Sequence, residues 1–305
     1  MIVYLLLLTT IFLAGLSIFL LWKRRHYVAA VSWHTVVVCC SLAIFIYLYG
    51  AWLFLSVYLK YVFAAVFAFL LIYTLTAAKS LYRAGSMGKK ATNLFFSAVL
   101  LILSVLYFTG TTGKPYGVAN LKFPFRNGTY CVFQGGKGLP TNVFHYALRG
   151  AVYAMDIVKL NDAGNRAKQI FSTRLQDYEI FNDTLYSPCN GRVLKAKDEN
   201  PDNIPPNRER GPSNTNQVLL ETDSFYVFLG HLHQHSVFVR EGDSVVTGQP
   251  LGCAGNSGFT LEPHLHIQVH AKTNSNIPWY KEPPLFINFD GRSYLLFQEI
   301  KAPKK

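Results

Sequence analysis

The chain has 305 residues, half of them hydrophobic and only 15% charged, with 29 Lys and Arg against 17 Asp and Glu. An average soluble chain is about 25% charged, so this composition excludes a disordered protein and argues against a single soluble globule. The net charge of +12 is unevenly placed: residues 1–110 hold eight basic residues and no acid, and every acid lies after residue 110. Basic residues set between apolar runs point to a membrane rather than to nucleic acid.

Residues 1–22 are uncharged and long enough to cross a hydrocarbon core of about 30 Å. Lys23-Arg24-Arg25 follows them. A cleaved signal peptide carries its basic residues before the apolar stretch, so that reading is disfavoured. Residues 27–78 contain one full charge, Lys60, and accommodate two spans with a turn near Gly50-Ala51-Trp52. Lys79, Arg83, Lys89 and Lys90 form a basic loop, and the uncharged stretch 91–113 supplies a fourth span. The expectation is a transmembrane region over residues 1–112, with helices at 2–22, 28–48, 56–78 and 93–110. The positive-inside rule puts both basic clusters in the cytoplasm, and everything after residue 112 then lies outside. Lys60 is expected to snorkel to the outer interface, and His34 to be a packed polar residue.

Beyond residue 112 the pattern changes to short runs of Val, Ile, Tyr and Phe between Gly, Pro, Asn and Asp clusters, which reads as strands. They are expected at Tyr130–Gln134, Tyr153–Val158, Gly191–Ala196, Gln217–Glu221, Tyr226–Gly230, Ser236–Arg240 and His264–Val269, with two more at Leu285–Phe289 and Leu295–Glu299. Residues 197–216 hold four prolines and read as a loop. Arg166–Tyr178 is the one segment with a helical reading. Residues 113–305 suffice for one mainly β domain with its own core. Cys131, Cys189 and Cys253 allow at most one internal disulfide there, and no CxxC is present.

Seven of the nine histidines lie in this second part. In Pro263-His264-Leu265-His266, residues i and i+2 of a strand face the same way, so His264 and His266 project together. Gly230-His231-Leu232 ends another strand. His145 is followed by Asp156 in Tyr153-Ala154-Met155-Asp156. Neutral imidazole and carboxylate are ligands suited to Zn2+, and three protein ligands leave a fourth position open, as in catalytic zinc sites. Singly, each signal reads as structural more readily than as functional: an HxH on a strand, or an Asp after one, is common without a metal.

Their order and settings carry a resemblance. Residues 141–270 resemble the lysostaphin and LytM type of zinc endopeptidases, which cut peptide cross-links in peptidoglycan. Asn142-Val143-Phe144-His145 with Tyr153-Ala154-Met155-Asp156 looks like the first ligand pair of that family. Tyr186-Ser187-Pro188-Cys189-Asn190-Gly191-Arg192-Val193 is similar to its strand entry. His231-Leu232, Glu241-Gly242-Asp243, Gly248-Gln249-Pro250-Leu251-Gly252, Gly255-Asn256-Ser257-Gly258 and Pro263-His264-Leu265-His266 complete the pattern. The resemblance implies an antiparallel sheet of the LytM, or duplicated-hybrid-motif, type. It implies one Zn2+ per chain held by His145, Asp156 and His266, with His231 and His264 as catalytic histidines. No HExxH is present, so no Glu base of the thermolysin kind is available; the two histidines must move the protons.

Three departures stand out. Ten residues separate His145 from Asp156, so the intervening chain must bulge out. Position 229 is Leu, where many members have Tyr. Phe259-Thr260-Leu261-Glu262 replaces a small polar run, and Glu262 is expected to bear on substrate preference. His233, His235 and His270 are left out of the site.

The leading expectation is a multi-pass zinc metalloendopeptidase of the cytoplasmic (inner) membrane. Its catalytic domain, residues 113–305, faces the extracytoplasmic or periplasmic side. Its substrate is peptidoglycan or another peptide, with a lipid bilayer around its helices and no nucleic acid. Two alternatives stay open: a non-catalytic LytM-type binding or activator module, and a membrane-bound cell-wall regulator whose four-span part binds a protein partner.

Overall fold

The computed structural model describes residues 2–25, 31–77, 81–82, 86–207, 214–274 and 276–304. Two compact units result, residues 1–108 and 109–305.

Four helices dominate the first unit: α1 (Ile2–Arg25), α2 (Trp33–Tyr49), α3 (Leu59–Ala77) and α4 (Met87–Thr109). A parallel pair, β1 (Val31–Ser32) and β2 (Leu81–Tyr82), accompanies them. Each helix is a run of Leu, Ile, Phe, Val and Ala without an acid, and a helix satisfies its backbone polar groups internally where water is absent. Three of them, α1, α3 and α4, are long and apolar enough to cross a membrane. The expected second span is shorter. α2 has 17 residues, about 25 Å at 1.5 Å per residue, against a hydrocarbon core of about 30 Å. It stops at Gly50, where the Ile46 carbonyl accepts both the Gly50 N–H at 2.8 Å and the Trp52 indole N–H at 2.9 Å. A side chain at Gly50 would collide with that carbonyl and indole.

Leu21, Cys39, Ile46, Trp52, Phe63 and Phe67 form the apolar centre of this unit. Polar groups add interhelical links of the kind that stabilise membrane bundles. His34 Nδ1 and Asn93 Nδ2 lie 2.8 Å apart, and the Tyr49 hydroxyl donates to the Leu103 carbonyl at 2.7 Å. His34 is thus a packed polar residue, 1% exposed. Lys60 sits in the first turn of α3 with Nζ 5.0 Å from the Tyr61 ring centre. Lys79 and Arg83, in the second basic cluster used to orient the spans, lie outside the described residues.

The second unit is mainly β. β3 (Val118–Leu121), β4 (Thr129–Gln134), β5 (Met155–Leu160), β6 (Thr184–Tyr186), β7 (Gly191–Lys197), β8 (Gln217–Glu221) and β9 (Phe225–Gly230) come first, with a one-turn helix α5 (Val143–Ala147) between β4 and β5. β10 (Ser244–Val245), β11 (Pro250–Cys253), β12 (Leu265–Ala271), β13 (Pro284–Phe289), β14 (Arg292–Ser293) and β15 (Glu299–Lys301) follow. The large sheet runs β10–β7–β8–β9–β12–β5–β4–β15, and β13 pairs with β12, β14 and β3. β11 and β6 form a separate pair. Every ladder of this unit is antiparallel except β13 with β3.

Period-two alternation decides which face is core. Leu265, Ile267 and Val269 of β12, Val227 and Leu229 of β9, and Met155 and Ile157 of β5 are buried in one apolar cluster. Burying each such side chain contributes about 1.5–3 kcal/mol. The alternate residues Asp156, Phe228, His266 and Gln268 are thereby sent to the other face. Register then does the rest: His266 lies opposite Asp156 on one side and Gly230 on the other.

Three expected elements differ. Ser236–Arg240 joins no ladder; one of its backbone N–H groups, that of Phe238, reaches a neighbouring strand at the Leu251 carbonyl, and the Ser236 hydroxyl meets Cys253. The last strand begins at Glu299 rather than Leu295. Arg166–Tyr178 is not a helix but a looped segment closed by an Ala167–Tyr178 bridge, with a three-residue turn at Leu175–Asp177. Its polar groups are taken locally: the Tyr178 hydroxyl donates to the Ser172 carbonyl and the Ser172 hydroxyl to Asp177. Such side-chain bonds compete with helix formation. Residues 208–213 of the expected 197–216 loop lie outside the described residues. No disulfide joins the cysteines among the described residues.

Candidate metal centre and active site

Asp156 and His266 face each other across the β5–β12 ladder, with His266 Nδ1 2.9 Å from Asp156 Oδ1. His145 comes from α5, and its Nε2 lies 3.3 Å from the same oxygen. The three ligand atoms all stand within 4.8 Å of one another.

Asn142 explains how His145 reaches the site across ten intervening residues. Its amide nitrogen donates to the Val152 and Ala154 carbonyls at 3.1 and 3.0 Å. The insertion therefore loops out through a short turn at Arg149–Ala151 and returns to the start of β5. With its nitrogen so committed, the Asn142 Oδ1 is the acceptor facing His145 Nδ1 at 2.9 Å. An acceptor there fixes the proton on Nδ1 and leaves the Nε2 lone pair toward Asp156. His266 is held in the opposite sense: Nε2 faces Gln268 Oε1 at 3.1 Å and Nδ1 faces the centre.

His231 and His264 stand beside these three residues. Their rings are 4.7 Å apart, and the His231 ring is 5.7 Å from that of His266. Each is anchored through Nδ1 to a backbone carbonyl, His231 to Ser257 at 2.7 Å and His264 to Glu262 at 2.8 Å. A carbonyl can only accept, so both rings carry the Nδ1 proton and keep Nε2 as the basic nitrogen. His264 Nε2 lies 3.4 Å from Asp156 Oδ1. His231 has φ of +65°, a left-handed conformation uncommon for any residue with a side chain. β9 ends at Gly230, so the alternation that would align His231, His233 and His235 stops there. His233 instead bonds Asp202 at 2.6 Å, and His235 is exposed.

Burial opposes charge on Asp156, but the imidazoles of His145 and His264 outweigh it and hold the carboxyl well below the usual carboxylate range. Burial pushes His266 down, more than Asp156 lifts it. His231 is driven well down by burial and then by its two histidine neighbours. His264 moves the other way: burial lowers it, but the Asp156 charge and bond prevail. An ionised carboxylate and a neutral imidazole are the forms that bind a metal.

Sequence reasoning singled out these five residues and missed what holds them: Asn142, Gln268 and the carbonyls of Ser257 and Glu262. An Asn three residues before a helical His was the readable signal for Asn142. The loop carrying Ser257 is itself pinned by Asn203, whose side-chain amide donates to the Gly258 carbonyl at 2.6 Å and whose backbone carbonyl accepts from the Asn256 side chain. Leu229 lies in the core, 0% exposed, so no side chain of that position reaches the centre. Glu262 does not open toward a substrate; its carboxylate is engaged by Arg166. His270 is buried, with Nδ1 bonded to the Glu282 carbonyl at 2.8 Å.

Comparison with known proteins adds to this geometry. Residues 176–278 match Peptidase family M23. The match takes in His231, His264 and His266 and begins beyond His145 and Asp156. Among solved structures, the chain is similar to the antimicrobial peptidase lysostaphin from Staphylococcus simulans, at 21% identity over 48% of this chain and 45% of that one, with a TM-score of 0.29. It therefore spans less than half the length of that protein. A zinc-containing peptidase from Vibrio cholerae is 18% identical over 49% of this chain and 37% of its own, with a TM-score of 0.27. The SpoIIQ–SpoIIIAH pore-forming complex matches at 16% identity over 54% of this chain and 92% of the other, with a TM-score of 0.31. A comparison with curated proteins finds no match.

Replacing Asn142 with Ala removes the Nδ1 acceptor of His145 and both ties across the insertion. Metal affinity is expected to fall about 10–100-fold, the usual cost of losing such an outer partner. Competition titration against a metal indicator checks it; unchanged affinity would mean that His145 is not a ligand.

Proposed function

We propose that this chain is a membrane-anchored zinc metalloendopeptidase that hydrolyses peptide bonds of peptidoglycan outside the cytoplasmic membrane. The observation that carries the reading is the donor set. His145 Nε2, Asp156 Oδ1 and His266 Nδ1 converge, the two imidazoles each oriented by a partner on the far side of the ring, beside two further imidazoles tied down through Nδ1. Ligands at about 2.0–2.1 Å around a tetrahedral Zn2+ stand about 3.3 Å apart. The distances of 3.3 and 2.9 Å from Asp156 Oδ1 to the two ligand nitrogens fit such an ion.

When bound, Zn2+ supplies Lewis-acid polarisation of a peptide carbonyl and acidifies water. The protein supplies the rest. His231 and His264 present basic Nε2 atoms that can accept a proton from water and return one to the leaving amine. Their fixed Nδ1–H bonds keep the rings from turning, so no reorganisation is needed at the moment of reaction. The three long apolar helices support the membrane anchor; with the shorter α2 counted as a fourth crossing, both basic clusters fall on the side opposite the β domain, which supports an extracytoplasmic domain.

The test is zinc content and peptidoglycan digestion by the full chain in detergent micelles. About one zinc per chain together with soluble muropeptides is the expected result. Zinc-free protein that still binds peptidoglycan would replace the enzyme by a non-catalytic module. Orientation is checked separately by alkaline phosphatase fused after Lys305, which is active only outside the cytoplasm; an inactive fusion would reverse the topology.

A further inference from the structure

Arg166 and Glu262 form a charge pair in which Arg166 is buried and Glu262 partly so, outside the candidate donor set. Arg166 is 2% exposed and lies in the looped segment after β5. Its Nε donates to Glu262 Oε1 at 2.7 Å and its Nη2 to Oε2 at 2.8 Å, a bidentate grip across 96 residues of sequence. Nη2 also donates to the Ile170 carbonyl at 3.1 Å. Desolvating two charges is costly, and a packed apolar pair is often at least as stable. Stability alone is therefore a weak reason for the pair.

The backbone of Glu262 offers a better one. Its carbonyl is the acceptor that holds His264 Nδ1 at 2.8 Å, and it also takes the Thr260 hydroxyl at 2.9 Å. Glu262 precedes the first ladder pair of β12, Leu265 with Ile157, so β-pairing does not set its position. Two contacts hold it: the Thr260 hydroxyl on the carbonyl and the Arg166 grip on the side chain.

We propose that Arg166 is a positioning residue: by gripping the Glu262 carboxylate it fixes the Glu262 carbonyl, and through it the tautomer and direction of the His264 ring. The kinetic half of this proposal rests on the peptidase reading above; the spectroscopic half does not. Bidentate geometry matters because Lys offers a point charge where Arg offers a fork, so Arg166→Lys should hold the carboxylate more loosely without abandoning it.

The experiment uses the full chain in micelles, zinc-loaded and labelled with 15N-histidine, as wild type, Glu262→Gln, Arg166→Met and Arg166→Lys. Long-range 15N–1H spectra are expected to show the His264 proton on Nδ1 in wild type and a tautomer mixture in Glu262→Gln and Arg166→Met. On peptidoglycan, kcat is expected to fall about 10²-fold in those two, as for a displaced catalytic group, with KM and zinc content unchanged and partial recovery in Arg166→Lys. A lower melting temperature with wild-type tautomer and wild-type kcat would make the pair merely structural and overturn the proposal. Should Arg166→Met fail to fold, Glu262→Gln, which keeps shape and backbone, decides. If wild type digests nothing, the enzyme reading fails, and the tautomer spectra still decide the role of Arg166.

Discussion

His266→Ala is expected to abolish metal binding, with zinc falling from about one per chain to background and hydrolysis with it. His266 is placed by strand register, opposite Asp156 and Gly230 in the middle of the large sheet, so no other side chain of β12 can take over its nitrogen. Leu265 and Ile267 on either side point into the core. Two protein ligands would remain, one fewer than catalytic zinc sites use. The backbone ladder does not need the imidazole, so the sheet should persist and the loss should be local. Zinc binding to the native site also stabilises the fold by mass action. Added zinc should therefore raise the melting temperature of wild type and leave that of the variant unmoved. Elemental analysis and a melting series check both halves. A His266→Ala chain that keeps its zinc would place the metal elsewhere.

His264→Ala should separate metal binding from chemistry. The His264 ring is anchored away from the donor set, by the Glu262 carbonyl, and its Nε2 reaches toward Asp156 at 3.4 Å without belonging to the three ligand atoms. Zinc content should stay at the wild-type level. Turnover should drop about 10²–10⁴-fold, the usual contribution of a positioned acid or base. His231→Ala should behave alike, and the double variant should lose little more, because groups that act as a unit are not additive. His235→Ala, exposed and outside the cluster, serves as the control that keeps both zinc and turnover. Full turnover in His264→Ala would remove His264 from the chemistry, and loss of zinc in it would move the residue into the ligand set.

These expectations rest on features of different legibility. The division into apolar helices and a β domain is plain in the distribution of charge, since helices without a single acid stand before a domain that holds all 17. The HxH that enters β12 is equally plain, because a period of two predicts that His264 and His266 share a face. What failed was local. Arg166–Tyr178 has helical composition, yet Ser172, Asp177 and Tyr178 bond one another in a loop. Ser236–Arg240 has strand composition, yet only one of its amides meets a neighbouring strand. α2 stops short because Gly50 and Trp52 both close on the Ile46 carbonyl, a contact no hydropathy sum contains. Glu262 looks like a free carboxylate until Arg166, 96 residues away, is seen to hold it.

The amino-acid order by itself therefore determined the apolar helices, the strand-rich domain and the five residues worth watching, because each depends on composition or on short-range periodicity. Tertiary structure alone decided which nitrogen each histidine presents. Those choices belong to Asn142, Gln268 and the carbonyls of Ser257 and Glu262, which act across loops and neighbouring strands. A tautomer is set by the partner on the far side of the ring, and where that partner lies is a property of the folded backbone.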